Sequence, residues 1–448
     1  MPPLSSRVCA VLGVLVLSLA GCGSGGAGHS SSQGKRPAGT HVTIHVPADA
    51  PTISDAVALA EPGDLVLVAP GTYHEMVRIK TPQITLRGES RDKVVIDGQL
   101  QQADGVVVTA PGVAVENLTV ENNTQNGVLV TGSAQAAAGK SESNGDYDTG
   151  SEPVTFLNSF LVSYVTATRN GLYGIYAFSA QNGVIEHSYT SGGADSGIYV
   201  GQCKPCHIVV QDDIAELNAV GYEGTNASGD MYVVANRLVG NRVGLTTDSD
   251  HQEKLLPQQG AVVAGNLVAA NQQSATPEQA DGGWGIGIGV DGGSSNQFLH
   301  NRVTGNTNAG VVITATQDIP PNDNQILDDL FAGNGLDVGW TFPTATAGQG
   351  NCVRGQGLHT APAGLGAAAT ACPAAPQTPS PSGTWSAPKP PGGIPFTDVA
   401  APPVQPQFPN AAGTPATVVP ATPVVPDTAG LQVPTAELLA ATALVQTS

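Results

Sequence analysis

The densest group of titratable side chains in the chain is Asp248-Ser249-Asp250-His251-Gln252-Glu253. Two carboxylates and an imidazole at this spacing can serve as general acid and base. Alternatively, Asp248, Asp250 and Glu253 can offer oxygen ligands to calcium. A solvated loop leading into the polar insertion 252–259 is the plain alternative. A second group with metal chemistry is Cys203-Lys204-Pro205-Cys206-His207, which can be a short disulfide or a soft-metal site.

These residues are positioned by a repeat. Asn236 to Asn241, Asn266 to Asn271 and Asn301 to Asn306 repeat one spacing of two polar residues around a short apolar run, and Asp213 to Asn218 and Asp329 to Asn334 copy it. A glycine follows a few residues later, and Gly174, Gly197, Gly221 and Gly244 fall 23 or 24 residues apart. A short strand-rich repeat cannot bury its apolar face alone, so it must stack on its neighbours as a solenoid. Stacked amides can hydrogen-bond into ladders, and Asn at a corner tolerates left-handed backbone, which makes most of these Asn residues scaffold.

Counting from the glycines assigns faces, because strand residues alternate. Ile175, Ala177, Ile198, Val200, Leu245, Thr247, Ile288, Val290, Val311 and Ile313 point inward. One outer column is then Tyr176, Tyr199, Glu223, Thr246, Gly289 and Val312, and its neighbour is Phe178, Gly201, Thr225, Asp248, Asp291 and Thr314. An exposed aromatic patch leading into carboxylates suits a glycan, whose apolar faces stack on rings while its hydroxyls meet acids. Glu223, Asp248, Asp250 and His251 are the candidate catalytic residues, with Tyr176, Phe178, Tyr199 and Asp291 as the binding residues.

Before the repeat, Thr52-Ile53-Ser54-Asp55 opens an amphipathic helix with a near capping box, suited to plugging the open end of the solenoid. With Asp55 to Leu59, Pro70-Gly71-Thr72-Tyr73-His74-Glu75 and the Asn/Gly repeats, the chain resembles the right-handed parallel β-helix superfamily of pectin-lyase-like proteins over about 42–340. The resemblance implies an all-β solenoid over 41–372. It carries activity less well. Gly71 to Glu75 matches the first pectin methylesterase motif, but the later aspartate segment is absent. Arg78-Ile79-Lys80 lies far upstream of Asp212-Asp213, with no Gly-His-Gly, so the polygalacturonase pattern is broken. The Asp248 to Glu253 segment resembles the Asp-Pro-His-Asp segment of alginate epimerases only loosely, with the order altered.

Residues 1–21 read as a signal peptide whose Leu19-Ala20-Gly21-Cys22 resembles the bacterial lipobox. This implies lipidation at Cys22, a flexible tether over 22–40 and a chain held at the outer face of the bacterial membrane. In an exported chain the even set Cys203, Cys206, Cys352 and Cys372 is expected to pair locally. The Pro/Ala/Thr-rich segment 373–448 is expected to be an extended, disordered tail, with a short helix over 436–445. The insertion 133–152 reads as a disordered loop.

A net charge of −19 with only 12% charged residues argues against nucleic acid. It also repels polyuronates unless a divalent cation bridges them. The expectation is a monomeric, surface-anchored protein that binds and processes a cell-envelope or environmental polysaccharide, as lyase, hydrolase or epimerase. A non-catalytic envelope scaffold or adhesion rod is one alternative. A copper-handling role through Cys203, Cys206 and His207, as in some periplasmic β-helix proteins that resemble this chain, is another.

Overall fold

The computed structural model describes residues 39–133, 153–342, 346–355, 357–366, 372 and 385–438. The signal peptide, Cys22, most of the tether and nearly all of the 133–152 insertion lie outside the described residues, as do most of the 436–445 segment and 373–384. From His41 onward the chain forms one unit. Among the described residues its strands make three sheets of twelve, eleven and ten strands, and all pairings between neighbouring strands are parallel. Each coil gives one strand to each sheet, so the apolar inward positions meet in a single axial core. Ile175, Ile198, Leu245, Ile288 and Val311, assigned inward from the glycines, are all fully buried there.

Helix α1, Ile53–Leu59, closes the N-terminal end. Thr52 accepts from the Asp55 N–H at 3.0 Å, as the capping box requires. Glu75 adds a second cap, accepting from the backbone N–H groups of Ile53 at 2.9 Å and Ser54 at 2.8 Å. The carboxylate of the Gly71 to Glu75 motif therefore binds a helix terminus, where the dipole favours its charge. Ile53, Ala56 and Val57 are the buried face of α1.

The polar repeats become amide ladders. In one, Ser188 donates to Asp213, Asp213 to Asn236, Asn236 to Asn266, Asn266 to Asn301 and Asn301 to Asp329, each backbone N–H meeting the side-chain oxygen of the next coil at 2.6 to 2.9 Å. A second ladder runs through Asn218, Asn241, Asn271, Asn306 and Asn334. The left-handed residue is the one just before each rung, such as Leu217, Ala235, Ala270 or Asp328, rather than the Asn itself. That residue makes the turn, and the Asn follows with its amide aimed along the axis. Asn266 is fully buried, donates to Asn301 Oδ1 and Val233 O, and receives Asn236. Asn266→Leu is expected to lower stability by about 2–6 kcal/mol, since two buried polar groups lose partners at about 1–3 kcal/mol each. Urea denaturation measures it.

The expected disulfides are present, Cys203 with Cys206 and Cys352 with Cys372. The C-terminal segment departs from expectation. Residues 385–438 form no strand and are mostly extended, as their proline content dictates, apart from the 3-10 turn Phe396–Asp398 and turns near 409–413, yet where disorder is expected they lie as a strap along the coils. Trp385 Nε1 donates to Asn308 Oδ1 at 2.7 Å. Further along, Arg242 reaches Pro391 O at 3.0 Å, Arg169 reaches Val399 O at 2.9 Å and Arg91 reaches Pro406 O at 3.0 Å. The strap then turns at the early coils and returns, with Ser159 donating to Pro420 O and Arg302 to Pro434 O. Extended proline-rich backbone leaves its carbonyls free, and guanidinium groups supply the donors that water would otherwise give.

Candidate functional site

The outer face of the eleven-stranded sheet carries the two columns read from the glycines. Tyr176, on the strand Tyr173–Phe178, lies beside Tyr199 on Ser196–Cys203. Tyr199 lies beside Glu223 on Val220–Ala227, and Glu223 beside Thr246 on Val243–Asp248. In the neighbouring column Phe178, Gly201, Thr225 and Asp248 follow one another coil by coil.

The rings are not exposed platforms. Tyr176, Phe178 and Tyr199 are 6%, 3% and 3% exposed. They tile over one another with Tyr173: ring centroids lie 4.5 Å apart for Tyr173 and Tyr176, 4.6 Å for Tyr173 and Tyr199, and 5.0 Å for Tyr176 and Tyr199. The excursion over 249–260 brings Glu253 onto the same face, where Tyr199 OH donates to Glu253 Oε1. Alternation correctly places these side chains outside the coil, but a second layer lies on them.

Beyond the rings the face is acidic. Asp248 accepts from Thr246 Oγ1 at 2.7 Å and from Thr225 Oγ1 at 2.8 Å. The Thr225 hydroxyl also lies 3.4 Å from Glu223 Oε1, but its one proton serves Asp248 at the shorter distance. Tyr173 OH donates to Asp195 at 3.2 Å. Glu223 and Asp248 are half-buried and closely surrounded, while Glu253 is 3% exposed. Burial, followed by the neighbouring carboxylates, holds Glu223 and Glu253 well above the usual range. Burial also pushes Asp248 up to about 7, against the two threonine hydrogen bonds, and Asp195 up to about 6, against the tyrosine bond.

Of the four candidate catalytic residues, two converge. Glu223 and Asp248 sit on adjacent coils about Thr225. Asp250 instead accepts from the backbone of Gln252 in its own loop at 2.6 Å. His251 is exposed and turned toward Gln317, to which its backbone N–H donates at 2.9 Å. Adjacency in sequence does not bring them together, because the loop leaves the sheet after Asp248. Asp291 lies one coil further, binding Thr316, and its backbone carbonyl accepts from Ser249. Sequence reasoning missed Asp195, and it took Glu253 only as a calcium ligand. Asp195 precedes its strand in a corner, outside the columns used for counting.

The calcium set is not assembled: Asp248 is held by threonines, Asp250 by its loop and Glu253 by Tyr199. Among the described residues no three His, Cys, Asp or Glu side chains group as a metal site. The Cys203–Cys206 pair is oxidised, leaving no thiolate for copper, and His207 pairs with Asp230 at 2.9 Å.

The family profile described as right handed beta helix region matches residues 104–326. The chain is a right-handed parallel β-helix protein. No curated protein matches it. Among solved structures it is similar to the mannuronan C-5 epimerase AlgE4 A-module of Azotobacter vinelandii, at 13% identity over 67% of this chain and 94% of that one, with a TM-score of 0.46. It is also similar to pectate lyase Pel9A, at 13% identity, 70% and 76% coverage and a TM-score of 0.40. DFA-IIIase from Arthrobacter chlorophenolicus A6 shows 12% identity, 71% and 94% coverage and a TM-score of 0.44. At these scores the likeness assigns neither a substrate nor a catalytic residue.

Proposed function

We propose that this β-helix, held through lipidated Cys22 at the outer face of a bacterial membrane, binds a polysaccharide along the eleven-stranded sheet and hydrolyses it. Glu223 is the general acid and Asp248 the base. The observation carrying this reading is the pair itself: two carboxyl groups on adjacent coils of one outer face, gathered about Thr225 with different hydrogen-bonding. Glu223, which accepts no short hydrogen bond and sits among acids, keeps its proton and gives it to the departing glycosidic oxygen. Asp248, whose charged form is steadied by two hydroxyl donors, takes one from the attacking water.

Release of new reducing ends over a panel of envelope and plant polysaccharides tests it. Glu223→Gln and Asp248→Asn are expected to lower turnover by roughly 10²-fold or more, the range of general acid–base catalysis. Full turnover by both variants would remove the pair from the reaction. The burial of the three rings favours a second reading, a non-catalytic envelope rod, and absence of turnover on every polymer would select it.

A further inference from the structure

The acidic strip has the acceptors of a binding site without the donors. The charges acting on Glu223 are Asp195, Asp248, Glu253 and Asp281, all carboxylates, and those acting on Glu253 are Asp248 and Asp250. The strip's side-chain hydrogen bonds come from hydroxyls: Tyr199 to Glu253, Tyr173 to Asp195, Thr225 and Thr246 to Asp248. Glu253 is 3% exposed; besides Tyr199 only the Gln202 backbone N–H acts as a donor to its carboxylate, and its Oε2 makes no close hydrogen bond. Glu223 Oε2 is likewise covered and unpartnered. A buried acceptor without a donor is costly, and one that carries charge is more so.

The missing component is therefore a cation with several N–H donors. An ammonium group has three donors and no acceptor. A divalent metal meets the charge but not the geometry, since it needs several oxygens converging at about 2.3–2.6 Å and no such group forms among the described residues. The layout also selects for a polymer. Asp248 and Asp291 stand in one column on successive coils, with Glu223 one coil earlier in the neighbouring column, and coils of a parallel sheet repeat at about 4.8 Å, a step on the scale of one sugar ring. Acids on three successive coils match a linear chain that bears cations along its length.

We propose that the strip binds a polysaccharide of amino sugars whose nitrogens are unacylated, with one ammonium paired to the Glu253 carboxylate and donating to the open carbonyl oxygen of the Glu223 acid. This deepens the glycan reading above and rests on it. Acetylation would remove the charge and two of the three N–H donors, so the free amine is the recognised group.

Calorimetry on the full chain tests it with three hexasaccharides, of glucosamine, of N-acetylglucosamine and of glucose, at mildly acidic pH where the amines are protonated. The glucosamine hexamer is expected to bind at least about tenfold more tightly than the other two, and less tightly as salt rises. Glu253→Gln, which removes the charge, and Glu223→Leu, which removes the acceptor, are each expected to lose about tenfold for that hexamer alone. In the Glu253→Gln variant the new amide oxygen still accepts from Tyr199, so the fold is kept, and circular dichroism checks it. Equal binding of the acetylated or the glucose hexamer overturns the amine preference and leaves the glycan reading standing. Binding of none of the three overturns both. Unchanged affinity in both variants overturns the site, and spermidine binding as tightly as the hexamer overturns the sugar as the recognised class.

Discussion

Arg87→Met is expected to cost about 3–5 kcal/mol of stability, the range found when a buried charge loses its partner. Arg87 and Glu116 are both fully buried, with Nε 2.7 Å from Glu116 Oε2. The other two guanidinium nitrogens reach Ala411 O, Thr414 O, Pro415 O and Thr417 Oγ1 on the strap at 2.7 to 3.2 Å. Thr417 in turn donates to Glu116 Oε1 at 2.7 Å, and Phe408 packs under the guanidinium with its ring centre 4.5 Å away. Methionine fills much of the space and leaves a buried carboxylate without its counter-charge. Arg87→Met with Glu116→Leu removes both charges and is expected to recover more than half of the loss. Urea denaturation of the three proteins measures this. A double variant no more stable than the single one would assign the loss to the strap carbonyls instead.

Asp213→Asn is expected to stabilise the protein by about 1–3 kcal/mol at pH 8 and to change little near pH 4. In the ladder each Asn uses its oxygen for the coil behind it and its amide for a carbonyl, as when Asn236 Nδ2 meets Val210 O at 3.0 Å and Asn301 Nδ2 meets Val263 O at 2.9 Å. Asp213 fills the same rung with an oxygen in place of the amide, and its buried Oδ2 has no partner. Burial raises this carboxyl well above its ordinary value. Asp329, at the far end, shows the same orphan oxygen and is pushed up to about 7. Both groups hold the proton more tightly folded than unfolded. Their contribution is complete below the unfolded value of about 4 and is lost as pH rises, for Asp329 through about 7. Asparagine supplies the donor at every pH. Thermal melts at pH 4 and pH 8 compare the two proteins, and an equal offset at both would contradict the ladder argument.

The glycine register was legible to the residue. Period and alternation are local properties, so Ile198 inward and Tyr199 outward follow from counting, and the pairing of Tyr199 with Glu223 follows from the repeat length. What covers an outward residue is not local. Tyr199 is roofed by Glu253, 54 residues later in a loop with no period, and so a column read as exposed is buried. The acids at Glu223 and Asp248 were found because they sit on strands, whereas His251 and Asp250 were grouped with them only by proximity in the chain. The strap escaped for the same reason. Its donors, Arg87, Arg91, Arg169 and Arg242, are scattered over early and middle coils, and nothing in a run of Pro and Ala says which guanidinium each carbonyl will meet.

That strap has a consequence for how the rod comes apart. A solenoid touches itself only between neighbours, so it can fray from either end, one coil at a time. Here a single extended segment is fastened near Asn308, again at Arg242 and Arg169, and again at Arg91 and Arg87, before it doubles back to Arg302. Peeling an early coil then means lifting a ribbon that also holds the late ones. The ribbon turns a stack of nearest-neighbour contacts into an all-or-none body, whose ends gain protection from proteases that attack frayed coils.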